Sequence, residues 1–385
     1  TLRSETATFG DMLEFTGDRT TIKGLRAEIG STTTGFSRVL SLTDTSNCLL
    51  DDCHIDGKQL ANSATGGNGF LMSFGCSTNT IRNCSANNLD GPTDTDGRGL
   101  YVQGNDHTID GFEAIDNKYI GIRCSNTSRL TMRRLNLRNM GATKGSPLNQ
   151  TTPRAINIDG GVTRSDYIEI YDSTFYSNTP NGHAYLGFGT AAGTGQISHV
   201  KMSNVNIIND DNISPGVSFS VANRMQCMKL ENIDSVYMEN CTFKHGANSD
   251  PGGTVYSFSF DSAIKSTNIK NCWLSGGYAS GGFAGFGQIN FENCTLGGDS
   301  ITMLGITDIG SGQVSFTDCD ITLDSAVSPY LFRLNATAPV AGDSLTVHNC
   351  NVTTNSATDF PITDNQSFMS ANRRIKCSES TFTND

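Results

Sequence analysis

The chain has 385 residues, a net charge of −11, 41 Gly and 12 Cys, and only 36% of its residues are hydrophobic. An acidic balance argues against a nucleic-acid partner, because phosphate-binding surfaces concentrate Lys and Arg. No run approaches the roughly 18 apolar residues of a membrane span, and no charged-then-apolar leader opens the chain at Thr1.

From about residue 11 onward one short phrase recurs: two apolar residues in alternation, a bend residue, then a small residue, most often Asn-Cys. It reads Val236-Tyr237-Met238-Glu239-Asn240-Cys241 in one copy and Ile289-Asn290-Phe291-Glu292-Asn293-Cys294 in another. In chain order the bends fall at Gly24, Asp52, Asn83, Gly111, Arg134, Asp172, Asn204, Asn240, Asn271, Asn293, Asp318, Asn349 and Glu379, eleven of the thirteen being Gly, Asn or Asp. Those types enter the left-handed backbone region cheaply, so the phrase predicts a strand turned by a single residue. An apolar residue follows each bend three positions on, from Ala27 and Ile55 through Phe243 to Phe382. Period-two alternation on both sides of the corner predicts two short strands meeting at an angle.

Copies recur every 22 to 38 residues, the spacing of a stacked repeat. Each also carries an earlier apolar strand, such as Gly99 to Gly104, Tyr119 to Arg123 or Tyr256 to Phe260. Three short strands per repeat without a helical pattern predict an all-β fold: a right-handed parallel β-helix solenoid of about 13 coils. At about 4.8 Å per coil the rod is on the order of 60 Å long. No linker interrupts the repeat, so residues 1–385 are expected to form a single β-helix domain. Thr1 stands where an initiator Met would, and Ser380-Thr381-Phe382 still follow the repeat, so the chain is expected to be a fragment or processed product of a longer protein.

Seven cysteines share one repeat position: Cys53, Cys84, Cys241, Cys272, Cys294, Cys319 and Cys350. Stacked at strand spacing they sit too loosely for disulfides and lack the CxxC and His-x-His patterns of zinc sites. They read as small buried thiols, implying folding in a reducing cytoplasm; no metal or cofactor is expected. Asn126, Asn149, Asn240 and Asn335 open glycosylation triplets, which an Asn- and Thr-rich repeat generates by chance.

The position before each bend alternates in sign, as Lys23, Asp51, Arg82, Asp110, Arg133 and later Glu239, Lys270, Glu292. This predicts a ladder of exposed ion pairs, and Asp110, Glu169 and Lys201 are assigned to it rather than to catalysis. The outer face of the earlier strand differs in kind: Tyr101 and Gln103, then Tyr119 and Arg123, Asn157 and Asp159, His183 and Tyr185. Aromatic rings beside hydrogen-bonding groups suit a sugar. The loop Gly91 to Arg98 brings Asp94 and Asp96 toward Tyr101, and residues 141–152 and 209–215 form excursions able to wall a groove across coils four to eight.

The repeat resembles the pectate-lyase-like right-handed parallel β-helix superfamily over nearly the whole chain, and within it bacteriophage tailspikes that depolymerise surface polysaccharide. Asp94-Thr95-Asp96-Gly97 and Gly182-His183-Ala184 resemble two motifs of polygalacturonase-type hydrolases, but that family's Asp-Asp and Arg-Ile-Lys motifs have no counterpart here. The resemblance implies a homotrimeric polysaccharide-degrading enzyme of the virion or extracellular space, acting on a bacterial surface polysaccharide without nucleic acid or membrane. In a glycoside hydrolase, Asp96 and Asp159 would be the paired carboxylates, Asp94 their substitute and His183 an orienting group. In a polysaccharide lyase, Arg123 would neutralise a substrate carboxylate and His183 or Tyr185 would abstract the proton. Tyr101 and Tyr119 would stack on sugar rings, while Arg98, Arg123, Gln103 and Asn157 bind substituents. A non-catalytic adhesive spike and a uronate C5-epimerase are the alternatives.

Overall fold

The computed structural model describes residues 2–4, 10–29, 36–57, 68–90, 97–141, 154–159, 166–178, 184, 186–189, 197–209, 226–244, 256–261, 264–274, 277–279, 288–297, 304–307, 313–323, 332–333, 344–354 and 374–384. These residues form an all-β parallel β-helix with three strands per coil. Thirteen strands preceding the bend, from Thr21–Lys23 to Arg374–Ser378, stack as a first sheet. Those after the bend, from Arg26–Ile29 to Thr381–Asn384, stack as a second. Twelve strands from Gly10–Phe15 to Phe332–Arg333 make the third. Ile168–Ser177 and Ile197–Asn209 run through the corner unbroken and join the first two sheets into one array of 25 strands. Pairing begins ahead of residue 11, since Leu2–Ser4 lies against Arg26–Ile29 with Leu2 opposite Ala27.

All thirteen expected bend residues have positive φ, from 48° at Asp172 to 73° at Gly111, Arg134 and Glu379 included. The bend residue's N–H still reaches the next coil, as Asn83 to Asp110 at 2.8 Å, and the residue two positions on reaches back, as Ser85 to Cys53 at 2.9 Å. Between them one N–H points along the axis with no carbonyl to meet. A buried side chain one coil on accepts it instead: Cys84 Sγ takes the Cys53 N–H at 3.4 Å and Cys272 Sγ takes the Cys241 N–H at 3.4 Å. Serine does the same where it replaces cysteine, Ser173 Oγ accepting from Leu135 at 3.1 Å and Ser380 Oγ from Cys350 at 3.1 Å. The repeated thiol is therefore a backbone cap, and every cysteine is free, all but Cys377 buried.

The other two corners use the same device, which the sequence pattern did not reveal. Asn47, Thr78, Asp106, Arg129 and Tyr167 turn the chain from the third sheet into the first with φ of 48–61°. There Asn79 Oδ1 accepts the Cys48 N–H at 2.9 Å and His107 Nδ1 accepts the Asn79 N–H at 3.2 Å. Asn88, Asp116 and Asn139, with φ of 54–57°, turn it out of the second sheet. Asn117 Oδ1 caps Leu89 N–H there at 2.9 Å.

Inside, like stacks on like, as in Phe291 against Phe316 with centroids 4.8 Å apart and planes 10° from parallel. Outside, charges before the bend pair, as Arg82 forked onto Asp51 at 2.9 and 3.0 Å and Lys270 on Glu292 at 2.8 Å. Glu169 and Lys201 do not join the ladder: Lys201 turns to the Tyr171 ring and Glu169 accepts from Thr131. The ladder is not exposed throughout, however: Asp51 and Asp110 are only 6% and 5% accessible. The long cations lie across the short acids and bury them. Burial opposes ionisation of Asp110, but Arg134 and Arg133 outweigh it and hold its carboxyl below the usual range.

Candidate functional site

The third sheet positions the candidate groups. In Arg98–Asn105, Leu100 and Val102 are fully buried while Tyr101 and Gln103 are partly exposed, as alternation requires. Gly99 makes the departure: a Cβ there would meet Ala114 Cβ of the core at 3.3 Å, so Gly99 and Leu100 both face inward. The chain thus turns between them and presents Arg98 and Tyr101 on the same outer side. Gly121 repeats this one coil on, where a Cβ would meet Leu137 at 3.3 Å.

Register then sets two columns. Tyr101 lies opposite Arg123, Arg123 opposite Asn157 and Asn157 opposite Gly187. Alongside, Arg98 lies opposite Ile120 and Ile120 opposite Arg154. The Arg98 guanidinium is 5.8 Å from the Tyr101 and Tyr119 ring centroids, and Arg123 is 5.4 Å from Tyr101. Each contact lies within cation–π range, so the negative ring faces offset the repulsion of neighbouring guanidiniums. Arg154 donates from Nη1 to Asn157 Oδ1. At Gly187 a Cβ would stand 2.8 Å from Arg154 Nη1 and 3.1 Å from Asn157 Oδ1, so the missing side chain leaves room for that pair.

Two local features frame the cluster. Lys118 pairs with Asp90 at 3.4 Å, both mostly buried, tying the segment before Tyr119 to the chain before Gly97. After Tyr101 the register shifts between Val102 and Gly104, opposite Asn126 with φ of 52°. This bulge ends the regular surface beside Gln103, whose carbonyl accepts from His107 Nε2 at 3.0 Å.

Of the sequence candidates, Arg98, Tyr101, Tyr119, Arg123 and Asn157 are thus gathered on one face across three successive coils, with Gln103 at its margin. Tyr119 precedes the strand Ile120–Ser128 rather than opening it, and Gly187 is the register partner of Asn157. Asp159 ends the strand Arg154–Asp159, with its backbone opposite Ser125. Asp94, Asp96, His183 and Tyr185 lie outside the described residues. Arg154 was missed: residues 141–153 interrupt the apolar period, and only alignment of Ile156 with Ile122 and Leu100 places it level with Arg98. Among the described residues no group of three or more His, Cys, Asp or Glu is placed to hold a metal ion. Arg cannot serve as a proton donor or base at ordinary pH, so what the described cluster can offer chemically is fixed positive charge and aromatic stacking surfaces.

No protein-family model and no curated protein sequence matches the chain. Among solved structures it is similar to the catalytic domain of a GH87 α-1,3-glucanase in complex with nigerose, with a TM-score of 0.48 and 14% identity over 96% of this chain and 63% of that one. A complex of that catalytic domain with tetrasaccharides gives a TM-score of 0.39 and 10% identity, over 98% of this chain and 64% of that one. The A-module of a mannuronan C-5 epimerase from Azotobacter vinelandii gives 0.31 and 9%, covering 94% and 85%. The chain spans about 63% of the length of the first glucanase structure. These are likenesses at the level of the chain path, and no residue role follows from them.

Proposed function

We propose that the chain is a polysaccharide-degrading, tailspike-like enzyme acting on a bacterial surface polysaccharide at the outer face of the third sheet. The observation that carries this reading is the interleaving of Arg98, Arg123 and Arg154 with Tyr101 and Tyr119 over three coils. Coil spacing of about 4.8 Å is close to the length of one pyranose unit, so successive rungs can meet successive sugars. Guanidiniums are suited to carboxylates and phenol rings to sugar CH faces.

That cationic face favours an acidic polymer and the lyase branch of the mechanism. Arg123 would neutralise the uronate carboxylate and so stabilise the carbanion formed at C5, with His183 or Tyr185 removing the proton and returning one to the leaving oxygen. The hydrolase branch would use Asp96 with Asp159, or Asp94 in place of one of them. In either case the enzyme works as a homotrimer on a virion or in the extracellular space. No carboxylate side chain described in the structure lies in the Tyr101, Arg123, Asn157 and Gly187 column, and that observation favours a binding-only spike as the second reading.

Incubation with capsular and lipopolysaccharide fractions tests all three. Release of oligosaccharides with a near-ultraviolet chromophore supports elimination, release without it supports hydrolysis, and polymer binding without release supports the spike. Binding without release would replace the enzyme by the spike, and absence of both binding and release with every acidic polymer would sink the proposal altogether.

A further inference from the structure

A second surface of different chemistry lies on the first sheet. Register stacks three outward rows over three coils: Tyr167, His199 and Ser235; Glu169, Lys201 and Tyr237; Tyr171, Ser203 and Glu239. In the other described coils the middle row holds mostly small or neutral groups such as Thr80, Thr108, Thr131, Asn290 and Ser315, with Lys376 the exception in the last. Among the described residues, all three outward aromatic rings of this sheet fall inside the nine-residue grid.

The side chains are held in place by one another. The Tyr167 ring lies on His199 with centroids 4.6 Å apart, and His199 Nδ1 meets Ser235 Oγ in the next coil. Lys201 Nζ stands 5.6 Å from the Tyr171 centroid. Tyr237 donates from Oη to Glu239 Oε2 at 3.1 Å, and Thr131 Oγ1 to Glu169 Oε2 at 3.4 Å. Burial first, then the Glu169 carboxylate, pushes the Tyr171 phenol up to about 12, so it stays a neutral donor. Tyr167 is 55% exposed although its φ is 48°, a conformation a bulky residue adopts at a cost. The platform is anchored on both sides of the corner, because Ile168–Ser177 and Ile197–Asn209 are the two longest strands and pair both before and after the bends at Asp172 and Asn204.

We propose that this grid is a second saccharide-binding surface, taking an uncharged sugar chain laid along the solenoid axis. Charge decides the class: the grid sets two carboxylates against one ammonium, and the flanking Arg133 and Lys270 are each engaged by an acid, Asp110 at 2.9 Å and Glu292 at 2.8 Å, so a polyanion is disfavoured. Aromatic faces beside alternating acceptors and donors instead match a polyhydroxylated ring. Three coils would engage about three sugars at the strand spacing. The inference rests on the reading of the chain as polysaccharide-acting but uses none of the same residues, so the grid would retain neutral stretches of polymer while the arginine face engages charged ones.

The test is affinity electrophoresis of the full chain through gels containing neutral glucans and mannans or a polyuronate, with a neutral-oligosaccharide array in parallel. Expected is binding of at least one uncharged glycan that weakens about tenfold in Tyr171→Ala/Tyr237→Ala, persists in Tyr237→Phe and is untouched in Arg123→Ala. Circular dichroism would confirm that the double variant is folded, and Lys201→Ala offers a milder change should it not be. Absence of neutral binding, or its loss in Arg123→Ala alone, would overturn the second surface and leave the arginine-face reading standing. Neutral binding that follows the grid, with no acidic polymer bound or cleaved, would uphold the grid and remove the other reading.

Discussion

Cys84 Sγ accepts the backbone N–H of Cys53 at 3.4 Å and donates to the carbonyl of Arg82 at 3.2 Å, closing a corner that the strand ladders leave open. A thiol there acts as a hydrogen-bonding group as well as a filler. Cys84→Ser keeps both roles, as Ser173 and Ser380 do elsewhere, and is expected to change stability by less than about 1.5 kcal/mol. Cys84→Ala leaves a buried N–H unpaired and is expected to cost about 1–3 kcal/mol. Denaturant titration of the two variants checks this; equal losses would show that the thiol only fills space.

Solvent access to those thiols gives a separate check. Eleven of the twelve cysteines are buried and Cys377 alone is exposed. One thiol per chain should therefore react quickly with a disulfide reagent in native buffer and twelve after denaturation. Several fast native thiols would contradict the stacked interior.

His107 is 1% exposed, accepting from Asn79 at Nδ1 and donating from Nε2 to Gln103. Both ring nitrogens are thus used in the neutral form, and burial holds the imidazole below its ordinary 6.5. The unfolded chain binds that proton first as pH falls, so stability is full above about 6.5 and declines below it until the folded-state value is passed. His107→Asn supplies the amide acceptor that Asn79 already provides one coil earlier, and it should flatten this decline. Melting curves between pH 7.5 and roughly 5 measure the difference.

How the corners are capped also decides what was legible in the sequence. At the first corner Asn is favoured twice over, by its backbone and by an exposed amide ladder: Asn204 donates to Asp172, Asn240 to Asn204, Asn271 to Asn240 and Asn293 to Asn271 at 2.8–3.3 Å. Asp, an acceptor only, starts each run, at Asp172 and again at Asp318 below Asn349. The other corners mix Asn47, Asp106, Asn88, Asp116 and Asn139 with Thr78, Arg129 and Tyr167, and at the last three the residue type gives no hint of φ, because stacking on neighbouring coils imposes the turn. Burial of Asp51 depended on the reach of Arg82, and the place of Arg154 depended on register across an irregular segment; neither is a local property. Asn240→Asp tests the ladder: it cannot donate to Asn204 and should cost about 0.5–1.5 kcal/mol, read from the thermal midpoint, with Asn240→Gly retaining the turn but not the rung.

Gly187 separates fold from function at the arginine face. A Cβ there would approach Arg154 Nη1 to 2.8 Å, and that atom ends a flexible side chain, so the backbone need not move. Gly187→Ala should therefore leave the melting temperature nearly unchanged while displacing Arg154 from Asn157. If Arg154 helps hold an acidic sugar, KM rises several-fold with kcat nearly constant, the pattern of lost uniform binding. Arg123→Ala, removing the charge proposed to stabilise the carbanion, should instead lower kcat by roughly tenfold to a thousandfold. Arg123→Lys should recover only part of it, because an ammonium lacks the planar fork. Steady-state kinetics on the cleaved polymer distinguish the two residues, and equal effects on KM alone would mean that the face only binds.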